Sequence, residues 1–191
     1  MLEFVLVIAV IISSCVFGSI SDFSEKDIKD KENVIFNSSF EDGKFNEQNM
    51  PEHWMTLDNN TDYIFWDDVI SRSGGKSLKI EYPDKKVNIV SETFPINSEY
   101  IYYTKCFLKT NYHSNHQIYI RFLAFNEKGK RVNKFSEKVY PGEEWTKGEL
   151  TTGFFNSSAR FGRIIISIPS KDDKTFWIDD IESFKVYRIQ K

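Results

Sequence analysis

Apolar residues along this chain recur in short runs, not at the 3.6-residue spacing of an amphipathic helix. The runs are "VIFNSSF", "DYIFWDDVI", "KSLKIEY", "VNIVSETF", "YIYYTKCFLK", "QIYIRFLAF", "KFSEKVY", "WTKGELTTGFF", "RFGRIIISI" and "TFWIDDIESFKVY". Between them stand "SRSGG", "YPDKK", "FPINS", "NEKG" and "YPGEE", whose Gly, Pro, Asn and Asp residues suit tight turns. Strand-length runs divided by turns, with no helical stretch, predict one all-β domain, a sandwich or a barrel.

Alternation sorts the strand faces. In "YYTKCFLK", Tyr102, Thr104, Cys106 and Leu108 share one side, and Tyr103, Lys105, Phe107 and Lys109 the other. The first set carries the cysteine and no charge, so it is expected to face the core. In "IYIRFLA", Ile118, Ile120 and Phe122 are expected inside, which turns Tyr119, Arg121 and Leu123 outward. Two strands thus present aromatic and basic residues away from the core. A merely solvated face has no need of them.

The N-terminus reads differently from the rest. "MLEFVLVIAVIISSCVFGSIS", residues 1–21, is an apolar run followed by small residues, the form of a secretory signal peptide cleaved after Gly18 or Ser21. It is short for a membrane span, which takes about 20 apolar residues, and no stop-transfer charges follow. "ISSC" also has the apolar-small-small-Cys form of a bacterial lipoprotein signal, which would make Cys15 a lipidated N-terminus. Both readings imply an exported protein, secreted or at the cell surface, that touches a membrane only through a lipid anchor. Residues 22–32, "DFSEKDIKDKE", are expected to form a solvated polar linker, and residues 33–191 the folded domain, a monomer.

Composition narrows the function. Aromatic residues make up 16% of the chain, which favours strands and large buried areas. The formal net charge is −3 and there is no basic run, so neither nucleic acid nor an anionic membrane surface is an expected partner. Only Cys106 remains after the leader, so the domain has no intrachain disulfide and relies on core burial, a metal, or both. Enzyme signatures are missing: there is no GxSxG elbow and no HExxH helix, and "GGKS" has Ile70 where a phosphate loop needs its first glycine. His113 and His116 sit in a polar loop without a carboxylate or thiol beside them. The acidic pairs Glu41/Asp42, Asp67/Asp68, Asp172/Asp173 and Asp179/Asp180 read as turn and cap residues, not as a hydrolase pair. No catalytic site is expected.

Seven segments occur in a telling order: "NSSFEDG" (37–43), "PEHW" (51–54), "SRSGGKSLKI" (71–80), "YIYYTKCFLKT" (100–110), "IYIRFLAFNEKG" (118–129), "EEWTKGELTT" (143–152) and "FWIDDIESFKV" (176–186). Together they resemble the carbohydrate-binding modules with a galactose-binding-like fold, the group around families four, nine, sixteen and twenty-two. The resemblance covers residues 33 to 188 and implies a two-sheet antiparallel β-sandwich of the jelly-roll type. It also implies a non-catalytic glycan-binding role. The alternative is an extracellular structural or protein-interaction jelly roll without a sugar site, since this fold serves those roles too.

The resemblance also bears on the acidic ends of the domain. Its members commonly hold a structural calcium where the "FE" of the first strand meets the "DD" of the last. Carried over, Glu41 and Asp180 would be the side-chain ligands, with carbonyl oxygens near Ser39 and Lys76; such an all-oxygen set suits Ca²⁺. The competing reading is that Glu41, Asp179 and Asp180 simply accept hydrogen bonds from loop amides. Sugar recognition needs a flat aromatic face and polar groups for hydroxyls. The candidates are Tyr103, Lys105, Phe107, Tyr119 and Arg121 on an aromatic and basic sheet face, with Trp66. By their place among the framework positions of the group, Trp54 and Trp177 are expected in the core.

Overall fold

The computed structural model describes residues 23, 25–43, 50–57, 61–112, 116–171 and 173–188. The signal-like segment 1–21, with Cys15, and His113 lie outside the described residues. Among the described residues no helix is long and apolar enough to cross a membrane. A one-turn helix α1 (Glu25–Ile28) precedes eleven strands: β1 (Trp54–Thr56), β2 (Ile64–Asp67), β3 (Ser77–Glu81), β4 (Val87–Ser91), β5 (Phe94–Pro95), β6 (Tyr100–Thr110), β7 (Ile118–Phe125), β8 (Arg131–Val139), β9 (Thr146–Thr151), β10 (Phe161–Ile168) and β11 (Thr175–Arg188).

These strands make two antiparallel sheets. One has the order β1-β4-β10-β7-β8, with β5 also paired to β10; the other has the order β2-β3-β11-β6-β9. The chain passes repeatedly from one sheet to the other, so most neighbours within a sheet are distant in sequence. The result is the expected β-sandwich jelly roll.

The core lies between the sheets and follows from the alternation. Tyr102, Cys106 and Leu108 of β6 meet Ile120 and Phe122 of β7, Ile164 and Ile166 of β10, and Phe176 and Ile178 of β11. Trp54 joins them, with its indole N–H donating to the Asn37 carbonyl at 2.9 Å. Phe122 packs against Phe94 and Tyr102 with both centroid separations at 5.6 Å, the tilted and edge-on contacts that aromatic quadrupoles favour. The close fit explains Gly162, whose added Cβ would stand 2.7–2.9 Å from Phe94, Ile96 and Phe122. Burial without a charged neighbour pushes the Cys106 thiol far up, so it behaves as a small apolar group.

Two stretches depart from expectation. "VIFNSSF" is not a strand. Asn37 and Phe40 take left-handed backbone angles (φ 46° and 60°), and the Asn37 side chain closes a turn on Asp42 and Glu52 instead. This segment still reaches the last strand: Val34 N–H donates to the Ser183 carbonyl, and Ile181 N–H to that of Ser38, at 2.9 and 2.8 Å. The acidic ends therefore do meet. The second departure is the expected linker, part of which folds. Ile28 of α1 is buried with Phe23 against Tyr103 and Phe184 on the outer side of the five-stranded sheet.

Candidate functional site

The outer side of the six-stranded sheet is built by the complement of the core positions. With Ile89, Ile120, Phe122, Ile164 and Ile166 inside, the strands turn Asn88, Val90, Tyr119, Arg121, Leu123, Arg163, Ile165 and Ser167 outward. The antiparallel register sets them side by side: Arg121 opposite Ile165, Leu123 opposite Arg163, Tyr119 opposite Ser167, and Ser167 opposite Asn88. β8 adds Lys138 opposite Tyr119, Ser136 opposite Arg121 and Lys134 opposite Leu123.

The middle of this face is apolar, a small cluster of Val90, Leu123 and Ile165 with Met55 and Phe125 packed on it. Beside it runs a polar chain. The Arg121 guanidinium donates to the Ser167 hydroxyl, which donates to the Asn88 side-chain oxygen at 2.7 Å. Arg121 also lies over the Tyr119 ring, 4.7 Å from its centroid, and Lys138 lies 5.9 Å from the same ring. The Tyr119 hydroxyl donates to Gln117 at 3.1 Å. An apolar floor beside fixed hydroxyl, amide and guanidinium groups is the mixture that sugar rings and their hydroxyls require.

Beyond the floor, Thr93, Phe125, Asn126, Glu127, Gly129, Phe161 and Arg163 line a depression of about 340 Å³. A larger one, about 470 Å³, lies at one end of the sandwich between residues 31–34 and 95–97. Its one aromatic, Tyr102, is a core residue whose hydroxyl already accepts the Asn97 amide. Size therefore does not pick out the site; the chemistry of the sheet face does.

The sequence pattern placed five residues on a single aromatic and basic face, with Trp66 as a sixth candidate, and the structure divides them. Tyr119 and Arg121 are on the outer face of the six-stranded sheet. Tyr103, Lys105 and Phe107 point outward as expected, but from the five-stranded sheet on the far side of the molecule. There they are covered: Tyr103 is 1% exposed, and Lys105 and Phe107 9% each. The Tyr103 hydroxyl donates to Glu149 and is held well above its ordinary pKa, first by burial and then by that carboxylate. Lys105 pairs with Glu25 of α1 and Glu182 of β11, both at 3.0 Å. Arg72 stacks on Phe107, 3.3 Å from the ring centroid. Trp66 turns to the core side beside Leu78, under the Lys76 ammonium at 4.3 Å. Trp177 is buried, but on the outer side of the five-stranded sheet, with its indole N–H on Asp67 at 2.7 Å.

The acidic ends form a junction of their own. Glu41 accepts the Gly75 and Lys76 amides at 3.0 and 2.9 Å, and the Lys76 ammonium donates to the Glu41 carbonyl at 3.2 Å. Asp180 sits in a β-bulge with φ 46°, accepts the Ser73 hydroxyl at 2.7 Å and pairs with Arg72. Asp179 accepts the Arg72 and Ser73 amides at 2.8 and 3.2 Å. Among the described residues no three His, Cys, Asp or Glu side chains converge on one point. The three carboxylates are met here by loop amides, the Ser73 hydroxyl and the Arg72 guanidinium.

The chain matches no protein-family profile and no curated protein. Solved structures do match. It superposes on the Family 16 Carbohydrate Binding Module-2 with a TM-score of 0.57 and 12% identity, over 80% of this chain and 100% of that one. The two share the β-sandwich jelly-roll fold. The CBM22-1 xylan-binding domain of Paenibacillus barcinonensis Xyn10C gives 0.54 at 13% identity, over 82% and 96% of the two chains. An arabinose-bound α-L-arabinofuranosidase, MgGH51, also gives 0.54 at 13%, over 80% of this chain but 26% of the enzyme. The chain thus spans about a quarter of that protein. At these identities the likeness carries the fold alone.

Asn88, Arg163 and Ser167 belong to the face and were not singled out from the sequence. A signal existed in "RIIISI", where Arg163 and Ser167 share one side with Ile165 while Ile164, Ile166 and Ile168 fill the core. The register that brings them beside Tyr119 and Arg121 did not exist in the sequence.

Proposed function

We propose that this chain is a non-catalytic glycan-binding module of an exported protein, and that it binds a poly- or oligosaccharide on the outer face of the six-stranded sheet. The observation that carries the reading is the chain Asn88–Ser167–Arg121–Tyr119 beside the apolar floor of Val90, Leu123 and Ile165. The fold supports it, since one structure of this fold is described as a xylan-binding domain. Export rests on the leader-like residues 1–21, whether the protein is released or anchored through Cys15.

Affinity electrophoresis over a panel of polysaccharides tests the reading. Retardation by at least one glycan, lost in Tyr119→Ala, is expected. Migration unaffected by every glycan, with a protein partner captured on the same face, would make this an interaction module.

The reading includes calcium at the junction, with Glu41 and Asp180 as carboxylate ligands and carbonyls near Ser39 and Lys76 completing the set. Bound there, the ion would tie the start of the domain to its last strand, and Arg72 would give up Asp180. A ligand held only by the native state raises its stability by mass action. Chelator should therefore lower the melting temperature, and Glu41→Gln should remove most of that response. Identical melting with calcium and with chelator would leave Arg72 as the counter-ion of Asp180.

A further inference from the structure

The two outer faces of the sandwich differ in how their charges are balanced. On the five-stranded sheet three lysines have carboxylate partners, Lys79 with Glu81 at 2.9 Å, Lys105 with Glu25 and Glu182, and Lys147 with Glu149 at 2.6 Å, while Lys109 donates to the Glu143 carbonyl and Lys185 lies over the Tyr100 ring. The six-stranded face turns Arg121, Arg163, Lys134 and Lys138 outward, and its strands place no Asp or Glu among them. The only acidic strand residue, Glu137, stands opposite the core residue Ile120, on the other side of β8. At the rim, Glu92 pairs with His53 at 2.9 Å and Glu127 with Arg160 at 3.5 Å. A chain whose formal net charge is −3 thus keeps one sheet face basic.

Arg163 is the sharpest case. It lies at the edge of the 340 Å³ depression with Phe125 and Phe161, opposite Leu123, and its Nε is buried without a hydrogen-bond partner among the described residues. Arg121, two positions along the diagonal, has a neutral hydroxyl and an aromatic ring for company. Both guanidiniums are pulled below their ordinary pKa by burial, a pull that the nearby Glu92 carboxylate partly opposes at Arg163. Neither guanidinium has a carboxylate in ion-pair contact among the described residues, and a half-buried guanidinium so placed gains from an incoming anion that can touch it. The planar fork of arginine also matches a carboxylate or sulfate in two-point contact.

We propose that Arg163 and Arg121 recognise the acidic group of an anionic glycan, a uronate carboxylate or a sulfate ester, lying across the outer face of the six-stranded sheet. This rests on the glycan-binding reading above and names its ligand class. The two anions share one chemistry, and paired probes separate them.

The test is affinity electrophoresis of the full chain at low salt over polygalacturonate, alginate, hyaluronate and dextran sulfate. Neutral counterparts run beside them: methyl-esterified pectin, neutral galactan and dextran. The expected result is binding to at least one acidic polymer about tenfold or more tighter than to its neutral counterpart, weakening with salt. Uronate polymers and dextran sulfate distinguish the carboxylate from the sulfate. Arg163→Gln and Arg121→Gln should each bring acidic binding towards the neutral level. Arg163→Gln should not lower the melting temperature, which keeps lost binding distinct from lost folding. Equal binding of acidic and neutral forms, or full acidic binding by both variants, overturns the proposal and leaves the glycan reading intact. Binding of duplex DNA as tight as that of the best polysaccharide also overturns it, by showing a generic polyanion surface. No binding to any polymer overturns both.

Discussion

Asp179 is fully buried on the last strand, opposite Phe107, and burial pushes its carboxyl up to about 6. The Arg72 and Ser73 amides oppose that rise, and the neighbouring Asp180 adds to it. In the unfolded chain the group titrates near 3.9. The native state therefore binds this proton more tightly, so the contribution of Asp179 is most favourable below about pH 4 and is lost as pH rises through about 6. A two-unit difference corresponds to about 3 kcal/mol. At Asp67 burial is outweighed by the Trp177 indole and two loop amides, so its pKa is lowered and its contribution is lost only in stronger acid. With chelator present, denaturant titrations should show greater stability at pH 5 than at pH 7, and Asp179→Asn should flatten the difference. Equal stability of the parent protein at the two pH values would contradict this. The same residue shows a limit of sequence reading: "DD" announced an acidic turn, but only the bulge at Asp180 determines which aspartate takes the loop amides and which the Arg72 guanidinium.

Strands and faces were legible because alternation is local. The run "QIYIRFLAF" became β7 and "RFGRIIISI" became β10 with bounds shifted by a single residue, and the inward sets of β6 and β7 are those that the pattern implied. Which sheet each strand joins was not legible, because β6 and β7 are consecutive in sequence yet lie in different sheets. That is why Tyr103 and Tyr119, alike in pattern, face opposite sides of the molecule. Segment 22–32 misled for a related reason: two apolar residues in a charged stretch look like a linker until a sheet offers Tyr103 and Phe184 to cover them. Ile28→Ala should accordingly destabilise the domain by about 2 kcal/mol and lower its melting temperature by roughly 4–8 °C. A variant melting with the parent protein would mean that α1 rests on the sheet without stabilising it.

At the scale of the molecule, the sandwich separates a stabilising face from a candidate binding face. The five-stranded sheet is closed by α1, by charge pairs and by Arg72 over Phe107; the six-stranded sheet carries the polar chain with Arg121 and, at its edge, Arg163 with an unsatisfied Nε. With the core between them, substitutions on the two faces share no partners, and independent sites add to within about 0.5 kcal/mol. Tyr103→Ala removes a buried ring and its hydrogen bond to Glu149, so it should destabilise by about 3 kcal/mol yet leave glycan retardation unchanged at a temperature where the variant is folded. Tyr119→Ala should do the reverse, abolishing retardation while changing stability little. The double variant should show the stability of the first and the binding of the second. Calorimetry and affinity electrophoresis on the same four proteins decide it. Loss of binding in Tyr103→Ala without unfolding would return the glycan site to the five-stranded sheet.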